Sequence, residues 1–76
     1  MIDRWENSSS QSRLYTDGVL VAEVVQCEGW PADEVREAAP PGWIGRSTRT
    51  KELCSPTTRR TRGDAIVDVF RERANL

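Results

Sequence analysis

The sequence predicts a small α+β domain: a three-stranded antiparallel sheet, a C-terminal α-helix packed on one face, and a short helical turn before the third strand. Three observations carry that prediction. Asp17-Gly18 separates two runs rich in β-branched and apolar residues. Residues 62–74 carry a helical apolar period behind a capping box. A chain of 76 residues has room for one core, so residues 1–76 form a single domain.

The elements follow in order. Residues 7–12 are all Asn, Ser or Gln and read as a loop or ragged strand end. A hairpin covers residues 12–27, because Asp-Gly supplies the positive φ values of a type I′ turn, whose twist matches paired strands. Its second strand carries Val19, Val21 and Val25 on one face and Leu20, Ala22 and Val24 on the other, which suits a central strand. Pro31 can open a short helix over residues 31–39, with Asp33 and Glu34 in the first turn, before Pro40-Pro41-Gly42 stops it. Residues 43–49 have strand composition and supply the third strand, and residues 50–60 form a basic connecting loop. The last helix spans 62–74. Thr61 and Asp64 form its capping box, and Ile66, Val69, Phe70 and Ala74 recur at helical spacing, with Val67 widening the stripe. Asp64 and Asp68 fall early and Arg71 and Arg73 late, as the helix dipole favours. Trp5, Tyr15, Trp43 and Phe70 are the expected large core residues.

Leu, Ile, Val and Phe together number 15 of 76, near the roughly 20% below which chains tend to stay disordered. Against disorder stand three tryptophans and a net charge of only -1. The expectation is a folded domain with a thin core. That small net charge hides a split: residues 1–42 hold three arginines against eight acids, a net -5, whereas residues 43–76 hold eight basic residues against four acids, a net +4. Each half is a candidate binding face.

Several classes fall away. The apolar stretch 19–22 stops at Glu23, far short of the ~20 residues that cross a bilayer. The first six residues lack the basic and apolar regions of a signal peptide. No membrane partner is expected, and the expected compartment is the cytoplasm, where Cys27 and Cys54 stay reduced. Histidine, the commonest general base and metal ligand, is absent. Two isolated cysteines cannot fill the four positions of a structural zinc site. Cys27 reads as a small core residue, and Cys54 as an inert thiol because no partner base is evident. Gly42 and Gly45 lack the strand–loop–helix setting of a phosphate loop. No enzyme, catalytic residue, cofactor or metal site is expected. Arg62-Gly63-Asp64 and the sequon at Asn7-Ser8-Ser9 are coincidental matches in a chain without a secretion signal.

The leading functional expectation is a non-enzymatic protein-interaction or regulatory module, of the adaptor or inhibitor type that bacteria and their phages encode. The small size and the use of ten arginines against one lysine fit that source. Trp30 stands at a loop corner with Glu28, Asp33 and Glu34 around it, and Trp is a frequent anchor of interfaces. The bland reading packs Trp30 on the sheet edge as a satellite of the core. Edge-strand pairing into a homodimer is a further option for so thin a core. The alternative function is DNA or RNA binding: Arg46, Arg49, Lys51, Arg59, Arg60 and Arg62 could neutralise phosphates while Trp43 stacks on a base. The expected order of three strands then a helix resembles certain plant transcription-factor domains and the amino-terminal domains of some tyrosine integrases. Those domains lay the sheet in the major groove, and the likeness covers topology alone. Against DNA binding stands a pI near 5.4, below the basic values expected of such domains.

Overall fold

The computed structural model describes residues 2–74, with side chains described as far as Glu72. The side chains of Arg73 and Ala74, expected at the end of the helix, lie outside the described residues. Among the described residues five elements occur in the order β1 (Asp3–Asn7), β2 (Gln11–Thr16), β3 (Val19–Cys27), β4 (Gly42–Ser47) and α1 (Arg62–Ala74). The strands form one antiparallel sheet with spatial order β1-β2-β3-β4, and α1 lies against β3 and β4.

The class is α+β, but the expected three-stranded sheet is wrong: the described residues form four strands. The added strand, β1, pairs Asp3 with Thr16, Trp5 with Leu14 and Asn7 with Ser12. It escaped the sequence reading because it is an edge strand in which Trp5 alone leaves solvent, so no apolar alternation marks it. The polar run after Asn7 is the turn into β2, closed where the Ser8 amide donates to the Gln11 carbonyl at 2.8 Å. With four strands, the expected order of three strands then a helix no longer holds, and the likeness built on it goes with it.

The Asp17-Gly18 turn forms as expected. Both residues take positive φ, 51° and 82°, and Thr16 stands opposite Val19. Further along, Leu14 pairs with Ala22 and Tyr15 with Leu20, which leaves Val21 as the extra residue of a β-bulge. β3 is an interior strand between β2 and β4.

The expected short helix over 31–39 is also absent, replaced by an irregular loop. Asp33 Oδ1 accepts from the amides of Val35 and Arg36, at 2.9 and 2.8 Å, as a helix cap would. But the Asp33 amide donates forward to the Arg36 carbonyl at 2.9 Å, opposite in direction to a helical bond, so the turn closes on itself and no helix propagates. Ala39 precedes a proline, which disfavours helical backbone there. Ala39 instead bridges back to Trp30. Too few residues remain between these points for a helical nucleus.

Under α1 the core is small: Leu14, Ala22, Val24, Ala65 and Val69 are buried, with Trp5, Val21, Trp43, Cys54 and Ile66 packed around them. None of the four aromatics expected at the centre is fully buried. Trp5, Tyr15 and Trp43 are half-buried, and Phe70 remains 44% exposed. Gly45 explains the shift. A Cβ there would meet Val69 Cγ2 at 2.7 Å and the Ala65 carbonyl at 3.2 Å, so the bare backbone lets the helix settle directly onto β4. That contact buries Ala65 and Val69 and leaves Phe70 out over the sheet margin, edge-on to Trp5 with ring centroids 5.8 Å apart.

The two margins of the sheet differ. Along β4 the chain after the strand closes the edge: Ser47 N–H donates to Glu52 O, Cys54 N–H to Gly45 O, and Trp43 and Arg59 exchange both backbone bonds. No described segment covers β1.

Candidate functional site

Two regions were singled out from the sequence, and the structure builds them very differently. The first is the loop 28–41 between β3 and β4. It holds Glu28, Asp33, Glu34 and Glu37 against Arg36 alone, a net -3. Its stem is the Trp30–Ala39 bridge, with N···O distances of 3.0 and 2.9 Å in the two directions. Gly29 just below the bridge has φ +84°, and a Cβ there would lie 2.2 Å from the Ala39 carbonyl, so only glycine lets the stem close.

Trp30 is half-buried, and its indole N–H donates to the Glu37 carbonyl at 2.9 Å. The Arg36 guanidinium lies 4.5 Å from the ring centroid, a cation–π contact worth about 0.5–1 kcal/mol at an exposed site. Trp30 is thus the internal post on which the loop is wound. Beyond it the loop is open: Glu28, Asp33, Glu34 and Glu37 are exposed, and Val35 is 91% exposed. Asp33 is partly engaged with Arg36, at 4.0 Å, while Glu28, Glu34 and Glu37 enter no ion pair among the described residues. At the root of the loop an open depression of about 760 Å³ is lined by Gln26, Cys27, Glu28, Pro41, Gly42 and Trp43. Sequence reasoning missed Val35. Its only signal was one β-branched apolar residue flanked by charges inside a segment read as helix.

The second region is the basic stretch from β4 to the start of α1. The cations that looked like one cluster are largely committed to other tasks. Arg46 is hydrogen-bonded to Glu23, a carboxylate only 8% exposed, and this pair belongs to a row of alternating charge across the helix-free face: Glu6, Arg13, Glu23, Arg46. Cross-strand opposite charges of this kind stabilise a sheet by about 0.2–1 kcal/mol a pair. Arg59 forks onto Asp68 of α1, with Nε–Oδ2 at 2.7 Å and Nη2–Oδ1 at 3.1 Å. The hydrogen bond and charge of Asp68 raise the Arg59 pKa further above its already high ordinary value. Arg62 lies 4.4 Å from the Trp43 ring centroid and donates to the Ser9 carbonyl at 2.8 Å, so the tryptophan face it covers is not open for stacking on a base. Arg49, Lys51 and Arg60 remain exposed and outside any ion pair or ring contact among the described residues.

Both cysteines are free thiols. Burial pushes the Cys54 thiol above its ordinary range, and the nearby carboxylates of Glu72 and Asp68 push the same way, which keeps it protonated and a poor nucleophile at neutral pH. Among the described residues no three Cys, Asp or Glu side chains gather as metal ligands, and no helix is long and apolar enough to cross a membrane. Comparison of the chain with protein-family models, with curated proteins and with solved structures found no match.

Proposed function

We propose that the chain is a non-enzymatic protein-interaction module, an adaptor or inhibitor in type, that docks the 28–41 loop onto a basic protein surface. One observation carries this reading: Val35, 91% exposed, stands on a loop that is otherwise tied down by its bridge, its tryptophan and its aspartate turn. A loop held in one shape loses little conformational freedom on binding, and that saving is a main source of affinity in small interfaces. Val35 supplies an apolar contact, and Glu28, Glu34 and Glu37 supply negative charge that selects and steers a basic partner. The setting that suits such a module is the bacterial or phage-infected cytoplasm, where Cys27 and Cys54 stay reduced.

Nucleic-acid binding is the weaker reading, because it rests on Arg49, Lys51 and Arg60 once Arg46, Arg59 and Arg62 are engaged within the fold. The two separate cleanly in a capture experiment from host lysate. The tagged chain is compared with Glu34→Gln/Val35→Ser and with Arg49→Ala/Lys51→Ala/Arg60→Ala. The expected result is a protein partner retained after nuclease treatment, lost with the first variant and kept by the second. Nuclease-sensitive capture lost with the second variant would overturn the proposal in favour of nucleic acid.

A further inference from the structure

The β1 margin is the open side of a sheet whose other margin is closed by residues 51–59. We propose that this edge is a two-fold interface, and that its occupant is a second copy of the chain, paired antiparallel about Trp5.

The backbone phase comes first. At one end of β1 the Ile2 carbonyl accepts from the Asp17 amide at 2.9 Å, and just past the other end the Ser8 amide donates to the Gln11 carbonyl at 2.8 Å. Backbone groups of successive residues alternate in direction along an antiparallel strand. Arg4 and Glu6 therefore face β2, and Trp5 and Asn7 turn their N–H and C=O groups outward. A second β1 centred on Trp5 meets Trp5 as a hydrogen-bonded pair, the two tryptophans exchanging both backbone bonds.

The side chains fit the same register. With Trp5 opposite Trp5 of the second copy, Arg4 falls opposite Glu6 and Glu6 opposite Arg4, both as non-hydrogen-bonded pairs whose side chains approach most closely. In the single chain these two residues pair with each other at 3.3 Å, and Arg4 also sits 5.0 Å from the Tyr15 ring centroid. In the pair they exchange partners across the interface. Arg4 of the second copy then becomes the next member of the row Arg46, Glu23, Arg13, Glu6, so each of the two symmetric rows gains one alternating charge across the interface before it ends at Tyr15. On the helix side, half-buried Trp5 and 44% exposed Phe70 come up to their copies and gain the cover they lack in one chain. Charges on an edge strand often prevent sheets from joining. Here their order around Trp5 is self-complementary, which is what an isologous contact requires. The edge lies on the far side of the sheet from the β3–β4 loop, so its test is independent of the docking proposal.

Sedimentation velocity across a concentration series is the test. The wild-type chain is expected to reach twice its 8.6 kDa at high concentration. Arg4→Glu and Glu6→Arg each set like charges opposite one another at both symmetric positions and are expected to weaken association by about tenfold or more. An equimolar mixture of the two variants restores opposite charges at both positions and is expected to dimerise again, with circular dichroism confirming that each variant alone is folded. A wild-type chain that stays single at every concentration overturns the proposal. So does a dimer that both variants leave intact, or a mixture that fails to associate.

Discussion

Asp68 is the acidic residue of α1 that the fold buries, and Arg59 is the reason it can be buried. Its side chain is 5% exposed and its two oxygens each take a hydrogen bond from the guanidinium of Arg59, whose side chain is 35% exposed. Removing one partner of a fully buried pair costs about 3–5 kcal/mol. Partial exposure of Arg59 lowers that to about 2–3 kcal/mol for Asp68→Ala. In a domain of this size that corresponds to a melting temperature lower by about 10 °C or more, measurable by calorimetry. The same pair shows how a sequence reading goes astray at this scale. Arg59 looked like a phosphate contact because its neighbours are basic, and Asp68 looked like a dipole partner because it falls early in the helix. The pairing joins residues nine apart through the packing of α1, which local patterning does not reveal.

Cys54 gives a second test at the residue scale. Burial and the carboxylates of Glu72 and Asp68 favour its neutral form, so its pKa in the folded chain lies above the ordinary 9.0. The sign follows directly. The folded state holds this proton more tightly than the unfolded state, so the contribution to stability is complete below pH 9.0 and is lost as pH rises through the raised pKa. In a Cys27→Ser background, the rate of iodoacetamide alkylation is expected to rise with a midpoint above 9.0, and a midpoint at or below that value would contradict the described burial.

Among the elements, β4 and α1 each carry a glycine, and the two have opposite effects. Gly45 has no room for a Cβ between β4 and Val69, so Gly45→Ala is expected to destabilise the fold by about 1–3 kcal/mol through overpacking. Gly63 lies in the first turn of α1 with nothing within 4 Å of an added Cβ, so Gly63→Ala is expected to stabilise by about 0.5–1 kcal/mol. Chemical denaturation of the pair reads both signs in one experiment. α1 itself was legible in the sequence, bounds included, because its cap is local: the Asp64 amide donates to Thr61 Oγ1 at 3.2 Å. The β2–β3 hairpin was legible for the same reason, through Asp17-Gly18. β1 was not, since an edge strand with both faces largely wet leaves no periodic trace, and its pairing partner lies across a turn of serines. Nor was the loop 28–41, where Pro31 and the acids imitate a helix start and the decisive bond joins Trp30 to Ala39.

For the molecule as a whole, the near-zero charge conceals a sorting of charges by task. On the basic side, Arg46, Arg59 and Arg62 hold together the sheet, the helix and Trp43. On the acidic side, the carboxylates of Glu28, Glu34 and Glu37 enter no ion pair among the described residues and lie on the same loop as an exposed valine. Trp30 connects the two ideas of the site, because its indole fixes the shape of the loop without itself being the exposed anchor. Chemical-shift mapping tests this division most directly: backbone amide resonances of the labelled chain are followed as the captured protein partner is added. The expected perturbations fall on residues 28–41 and centre on Val35, with Arg49, Lys51 and Arg60 unmoved. Perturbations confined to residues 46–62, with the loop silent, would contradict the assignment of the acidic loop as the binding surface.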